Sequence, residues 1–390
     1  MPRSAVCNRL LQPVVTISYG RRAASGKTGG EVLPAGNPGT AGEGAVVRLE
    51  DVARAAGVSK ATASRALSRP DLVAEATRAR VTQLAEEMGL RLNPTARALY
   101  TGRTGALALV VPSLTNPYFG PILAGAQREL ADRGGHALIA AADTATDEID
   151  LAHSLFGHVD ATVLIAPRAP DERIRALAEH TRLVVVDRYV EGVPGVVADT
   201  PHGVGLLVEH LTALGHRHLG YIGGPGESSL DGQRIAAARR GAEAAGATLE
   251  IVAPVPPELD TGLRLSLDWP FGPAVSAVIA YSSYLALGLL IGLRERGVAV
   301  PDEISVAAVD QLAAVGSQPT TGAGAPATLL TCLRVPLEQL GRTAAATALR
   351  PDGSGEADGR GAAAGDNGVT ALRTTLVPGR STGGPAGQQP

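Results

Sequence analysis

Aromatic side chains are scarce: one Trp, three Phe and seven Tyr in 390 residues. A core made from this chain has to be filled by Ala, Val and Leu, and a hydrophobic content of 45% is enough for that. The two cysteines, Cys7 and Cys332, are too few for a disulfide framework. A reducing, cytoplasmic compartment is therefore the expectation. No apolar run approaches the roughly 20 residues of a membrane-spanning helix. Signatures of catalysis are missing as well. Gly220, Gly223 and Gly224 do not form G-x-G-x-x-G, and no P-loop is present. His153, His158, His210, His216 and His218 have no carboxylate or cysteine partners at metal-site spacing. The expectation is a protein that is not an enzyme and carries neither metal nor cofactor.

Charge is close to balanced overall, at −3, but it is unevenly distributed. Residues 1–45 carry +3, residues 46–104 carry +4, and residues 105–390 carry −10. A small basic head on a large acidic body fits a nucleic-acid-binding module joined to a part that does not touch nucleic acid. Residues 1–45 show no hydrophobic period. The apolar stretch Leu10 to Val15 is broken by Gln12 and Pro13, so it does not read as a secretory signal. The segment reads as a disordered extension, or as sequence upstream of the true start.

The most informative stretch is VRLEDVARAAGVSKATASRAL, residues 47–67. A first helix from about Leu49 places Val52, Ala53 and Ala56 on one face. Gly57 ends it, since glycine adopts positive φ without a Cβ penalty. Ser59 is a ready N-cap for a second helix, whose Ala63, Ala66 and Leu67 face inward. Lys60, Ala61, Thr62, Ser64 and Arg65 then point outward, a set of short donors and cations suited to the DNA major groove. Spacing alone leaves open a plain helical hairpin with a solvated basic face. A third amphipathic helix follows over residues 74–88, with Val81, Leu84, Ala85 and Met88 at core spacing. Residues 92–99, LNPTARAL, are too short for a helix stable by itself.

From Gly105 the texture changes. The runs at 106–112, 136–141, 161–167, 182–188, 218–224, 274–281 and 304–310 are continuously apolar and of strand length. Helical patterns lie between most of them, at 118–133, 202–214, 233–245 and 284–296. Strands apolar on both faces that alternate with helices imply parallel sheets covered on both sides. The spacing suggests two doubly wound parallel-sheet lobes in succession, with ligand chemistry at the carboxyl ends of the strands. Residues 351–368, with six glycines, read as a flexible insertion, and the last twenty residues as loosely structured.

Five ordered motifs carry a family resemblance. They are L-x-D-V-A-x-x-A-G-V-S-x-x-T-x-S-R at 49–65, A-R-x-L at 96–99 preceded by Asn93, N-P-Y-F at 116–119, L-G-H-R-H-L-G-Y-I-G-G-P at 214–225, and R-S-T at 380–382. From about Val47 to Thr382 the chain resembles transcriptional repressors of the LacI/GalR family. The resemblance implies a helix-turn-helix headpiece over residues 46–91, a hinge over 92–104, and a two-lobed core, similar to periplasmic binding proteins, over 105–382, followed by a disordered tail at 383–390. It also implies a homodimer on near-palindromic operator DNA and a small-molecule effector, most readily a sugar or sugar derivative, held between the lobes.

By the same resemblance, Ser59, Thr62 and Ser64 would hold the phosphate backbone, and Lys60, Ala61 and Arg65 would face base edges. Asn93, Arg97 and Leu99 would belong to the hinge, with Leu99 wedged into the minor groove. Tyr118, Phe119, Arg234 and Asp310 would line the effector site, with Asp143 and Arg168 as further strand-end candidates. Asp187 and Arg188 match a structural or rim motif. The chain also departs from the family pattern. Ser282 and Ser283 replace the usual Asn-Asp pair, Gln311 follows Asp310, and the segment 265–273, which contains Trp269, is too short and proline-broken for the usual helix. Trp269 and Ser282 are retained as candidate effector contacts. Two alternatives remain compatible with the core: a solute-binding protein of the same fold, and a DNA-binding regulator whose core no longer senses a ligand.

Overall fold

The computed structural model describes residues 47–68, 72–90, 103–142, 144–226, 228–311, 329–350, 363–364 and 368–385. They divide into two compact units. One holds the N-terminal helices up to Ala106 together with His158–Asp160, and the other holds the remainder from Leu107 onward.

The N-terminal unit contains α1 (Leu49–Ala56), α2 (Lys60–Ser68) and α3 (Glu75–Glu87). Gly57 closes α1 at φ 70°, where its amide donates to the carbonyls of the last turn. Ser59 Oγ accepts the Thr62 amide at 3.1 Å and caps α2 as its position suggests. Val52, Ala53, Ala56, Ala63, Ala66, Val81 and Ala85 form a small core, with Leu67, Leu84 and Met88 half-buried around it. The inward faces anticipated from periodicity are those observed.

The large unit has two lobes. The first contains β1 (Ala106–Val111), α4 (Phe119–Asp132), β2 (His136–Ala141), α5 (Ala145–Ser154), β3 (Ala161–Ile165), α6 (Asp171–Ala178), β4 (Leu183–Val186) and β5 (Gly195–Ala198). The second contains α7 (Thr200–Ala213), β6 (His218–Ile222), α8 (Ser229–Ala244), β7 (Thr248–Val252), α9 (Leu259–Leu267), β8 (Ala277–Ala280), α10 (Ser283–Glu295), β9 (Ser305–Ala308) and β10 (Thr331–Arg334). The chain then returns to the first lobe as α11 (Leu337–Ala348), β11 (Ala363–Ala364) and β12 (Val369–Leu372). It crosses once more to add β13 (Thr375–Val377) to the second lobe. Among the described residues, strand order is β11-β12-β5-β4-β3-β1-β2 in one sheet and β13-β10-β9-β8-β6-β7 in the other. β1 with β3, β3 with β4, β4 with β5, β6 with both β7 and β8, and β8 with β9 all run parallel; β13 is antiparallel to β10. The central strands are buried on both faces, which accounts for their unbroken apolar runs.

Helices pack closely where glycine removes the Cβ. A Cβ on Gly288 in α10 would lie 2.0 Å from the Leu259 carbonyl of α9, and one on Gly341 in α11 would lie 1.9 Å from the Ile122 carbonyl of α4. The same α9 corrects one expectation from sequence. The helix thought to be missing around 265–273 lies upstream, at Leu259–Leu267, where no proline interrupts it.

The end of the chain is also more ordered than its composition suggests. Ser381 is buried and its Oγ donates to the Val306 carbonyl at 2.6 Å, while the Gly383 amide donates to Ser305 Oγ at 3.0 Å. Residues 368–385 are thus fastened to both lobes by β12, β13 and these bonds. Most of the 351–368 insertion lies outside the described residues.

Candidate functional site

Two sets of residues collect chemistry. In the headpiece, Lys60, Ala61 and Arg65 are exposed along α2, with Thr62 and Ser64 half-exposed beside them. Ser59 Oγ and Thr62 Oγ1 lie 2.8 Å apart, so the start of the helix is held by a side-chain pair as well as by its cap. Lys60 Nζ donates to Glu50 Oε1 at 2.6 Å across the α1–α2 turn. That bond and the lysine's charge hold the Glu50 carboxyl below its ordinary range. α2 itself contains no acidic residue.

In the large unit, a cavity of about 430 Å³ opens at the carboxyl ends of the strands of both sheets. Its wall is contributed by the residues following β1 (Pro112 to Phe119), β3 (Ala166 to Arg168), β4 (Asp187) and β5 (Thr200) of the first lobe. The second lobe supplies those following β6 (Pro225, Ser228), β8 (Tyr281 to Tyr284) and β9 (Val309 to Gln311), together with Arg234 of α8. Two wall residues, Ala166 at φ 46° and Asp187 at φ 57°, occupy the left-handed region although neither is glycine. Such conformations cost about 1–2 kcal/mol each, and they turn the chain away from the sheet immediately after β3 and β4.

A polar cluster lies in this cavity. The Tyr118 hydroxyl donates to Asp187 Oδ2 at 2.5 Å, and the Ala198 amide donates to Asp187 Oδ1 at 3.3 Å. Arg234 is buried; its Nε donates to Thr200 Oγ1 at 2.9 Å, and its guanidinium carbon sits 5.0 Å from the centre of the Tyr281 ring. Asp310 Oδ1 accepts the Ser283 amide at 2.5 Å at the start of α10. Burial raises the pKa of Asp187, against the Tyr118 hydrogen bond and the charge of Arg234. Burial likewise raises Asp310, against its bonds from Ser283 and the charge of Arg234. The Tyr118 hydroxyl is pushed well above its ordinary range by burial and then by the Asp187 charge. The cluster therefore offers one fixed cation, two carboxylates and aromatic surface, and the surrounding wall adds Arg168 and Glu258. Such paired donors and acceptors are chemically suited to hydroxyl-rich molecules.

The comparisons with known proteins bear on the two parts of the chain. Residues 48–93 match the model for bacterial regulatory proteins of the lacI family, and residues 208–382 match a periplasmic binding protein-like domain. The transcriptional regulator GntR of Pseudomonas aeruginosa is 31% identical over 319 residues, covering 76% of this chain and 87% of that protein. The chain belongs to the LacI family. Its members are DNA-binding transcriptional regulators, and this chain has both the DNA-binding and the binding-protein-like parts. The regulator CelR of Thermobifida fusca is 30% identical over 300 residues, covering 72% of this chain and 88% of that protein. A solved CelR–cellobiose complex covers 86% of this chain and 99% of its own, at 26% identity and a TM-score of 0.58. The Lac repressor dimer bound to operator and an anti-inducer shares the fold, with a TM-score of 0.68 at 20% identity over 86% of this chain.

Measured against the LacI-family expectation, Tyr118, Phe119, Arg168, Arg234, Ser282 and Asp310 all line the cavity. Phe119 is mostly buried and meets Tyr118 edge-on, with ring centres 5.5 Å apart, so it supports the tyrosine more than it offers surface. The Ser282 hydroxyl is engaged as the cap of α10, accepting the Leu285 amide at 3.2 Å. Trp269 requires a correction. It does not line the cavity; its ring packs edge-on against Phe271 at 5.4 Å, half-buried on the apolar cluster of the second lobe. Asn93, Arg97, Leu99 and Asp143 lie outside the described residues. Arg188 is structural, donating to the carbonyls of Pro167 and Ala169 and to Asp171 at 2.5–2.9 Å.

The sequence motif marks Asp187 as structural or at the rim, whereas it belongs to the polar cluster of the cavity, and nothing in the sequence reading singles out Thr200 or Tyr281. Asp187 and Tyr281 each close an apolar strand run, and that position was the available signal. Thr200 carried none, because its role follows from a partner 34 residues away.

Proposed function

We propose that the chain is a repressor, acting as a homodimer on near-palindromic operator DNA, whose DNA affinity is set by a sugar or sugar derivative bound between the lobes. A two-fold dimer reads two-fold symmetric DNA with two headpieces, one per half-site. Ser59, Thr62 and Ser64 hold the phosphate backbone, while Lys60, Ala61 and Arg65 face the bases. The fork of Arg65 suits guanine O6 and N7, and Ala61 can at most touch a thymine methyl. Asn93, Arg97 and Leu99 form the hinge, with Leu99 as the minor-groove wedge. The setting is the cytoplasm, where such DNA is found.

The observation that carries the effector half is the cluster of Arg234, Asp187, Asp310 and Tyr118 in one cavity. Arg234 uses Nε on Thr200, so its terminal amino groups remain for ligand oxygens. Asp310 accepts from ligand hydroxyls, and Tyr281 gives an apolar face to the carbon side of a sugar ring. The relative CelR, solved with cellobiose, supports the sugar class. Ligand held by both lobes changes how the lobes sit, and with them the hinges, for a coupling of about 1–3 kcal/mol.

The test begins with operator selection from a random-sequence DNA library by the full chain. Binding to the selected DNA is then measured across a panel of neutral sugars, sugar acids, polyols and nucleosides. The expected result is a palindromic consensus and at least one compound that shifts operator affinity, with the shift lost in Arg234→Ala and Asp310→Ala. A consensus with no responsive compound would leave a regulator with a non-sensing core. Failure to select DNA at all would remove the repressor reading.

A further inference from the structure

Arg234 is buried, yet only one edge of its guanidinium is satisfied inside the protein. Nε donates to Thr200 Oγ1 at 2.9 Å, and the Tyr281 ring covers one face, its centre 5.0 Å from the guanidinium carbon. Among the described residues neither Nη donates to a protein acceptor, and neither is sealed from the cavity that Arg234 lines. A guanidinium is planar, with its donors in a rigid fork. An acceptor on Nε and a ring on one face therefore decide where both Nη groups point.

Thr200 is itself a fixed post. It is buried at the crossing from β5 to α7, where it is the first residue of the helix. Its hydroxyl is not needed as the helix cap, because the Asp199 carboxylate accepts the His202 amide at 3.2 Å and does that work. The Asp199 amide donates to the Leu372 carbonyl at 2.8 Å, and the Asp199 carbonyl accepts from Thr374 Oγ1 at 2.9 Å. The crossing that carries Thr200 is thereby tied to the crossing from β12 to β13. A Cβ on Gly203, one turn into α7, would lie 2.5 Å from Thr374 Oγ1, so the helix start is closely packed there.

We propose that Thr200 is a positioning residue for effector binding: it holds Arg234 by Nε so that the Nη edge meets the ligand. This rests on the effector reading above and adds the residue that makes Arg234 a directed donor. Removing the Thr200 hydroxyl leaves a buried Nε–H without its acceptor, and the guanidinium turns to recover one at the expense of its aim.

The experiment titrates the full chain by calorimetry with glucose, cellobiose, ribose, sorbitol, gluconate and uridine, as wild type and as Thr200→Val, Thr200→Ser and Arg234→Met. Valine keeps the shape of threonine without the hydroxyl, and serine keeps the hydroxyl. For a compound that wild type binds, Thr200→Val should weaken binding about tenfold or more, the factor carried by one hydrogen bond to a charged group. Thr200→Ser should recover most of that loss. A residue that only stabilised the fold would lower the ligand-free melting temperature and leave the affinity of the folded protein unchanged. If Thr200→Val melts below the titration temperature, Thr200→Ala takes its place with the same expectation. Wild-type affinity in the variant without the hydroxyl, or a serine variant as weak as the valine one, overturns the proposal. If Arg234→Met abolishes binding while Thr200→Val leaves it intact, the effector reading stands and only this proposal falls. If no compound binds wild type, both fall.

Discussion

The hydroxyl of Tyr118 and the carboxylate of Asp187 meet at 2.5 Å although 69 residues separate them, and both face the cavity between the lobes. The bond favours the charged form of a carboxylate whose pKa burial raises. Tyr118→Phe removes the donor and should raise the Asp187 pKa further. The expected loss of stability is about 1–3 kcal/mol at neutral pH, the usual cost of a buried acceptor left unmade. The loss is present while Asp187 is charged and shrinks as pH falls through its raised folded pKa, because a protonated carboxyl no longer needs the donor. Thermal melts of wild type and variant from neutral pH down into the ordinary carboxylate range, near 3.8, would check this; a pH-independent difference would contradict it.

His216 gives the opposite slope with acid. Its Nδ1 is 2.8 Å from Ser276 Oγ, and its Nε2 is 2.9 Å from the Gly383 carbonyl and 3.1 Å from Ser305 Oγ. The carbonyl requires a proton on Nε2, so Nδ1 accepts from Ser276 in the neutral ring. Burial lowers the pKa of this ring below its ordinary 6.5. Below about pH 6.5 the unfolded chain takes up a proton that the folded one resists, so stability present above that pH is lost as pH falls toward the folded pKa. His216→Asn should lower the melting temperature at pH 8 and flatten its fall between pH 7 and 5.5. His210 shares the direction of shift, so the difference between wild type and variant is the quantity to follow.

Two glycines on helices should respond oppositely to an added methyl group. A Cβ on Gly288 would meet the Leu259 carbonyl at 2.0 Å, so Gly288→Ala forces α9 and α10 apart and should cost roughly 1–3 kcal/mol. Gly205 in α7 has nothing within 4 Å of the added atom. Gly205→Ala should stabilise by up to about 1 kcal/mol through helix propensity. Melting temperatures of both variants decide it, and equal shifts would mean that the close helix crossing is not what Gly288 serves.

In the headpiece, cap and reader should separate. Ser59→Ala removes the bond to the Thr62 amide, costs about 1 kcal/mol of helix stability, and weakens binding to all DNA sequences alike. Arg65→Ala should relax preference at one base pair of each half-site, at about 1–3 kcal/mol. Competition binding with single-base operator variants distinguishes the two patterns. Wild-type behaviour in both mutants would mean that α2 is not the recognition helix.

Much of the architecture was legible because it rests on local rules. The cap at Ser59, the stop at Gly57 and the inward alanines of α1 and α2 follow from contacts within a few residues. Seven strands showed as apolar runs; six are largely buried on both faces, and β2 is a half-buried edge strand whose run, HALIAA, is nonetheless unbroken. β7, Thr248–Val252, escaped notice because Thr248 and Glu250 interrupt its apolar residues on the exposed side of an edge strand. α11 was missed in an alanine-rich stretch with few large apolar residues, since its close crossing with α4 depends on Gly125 and Gly341 rather than on bulk.

What the sequence determined by itself was therefore the headpiece, the parallel strands and the charged residues that close them. Those features depend on periodicity, capping and burial of both strand faces, all set within a few residues. Only the tertiary structure decided which strand ends share a cavity, because that depends on strand order and on a chain that passes repeatedly between the lobes. It brought Tyr118 to Asp187 and Arg234 to Thr200, turned Trp269 into the core, and fastened the C-terminal segment beneath His216. Contacts across tens to hundreds of residues carry no local signature, since their partners are selected by topology and packing rather than by neighbours in the chain.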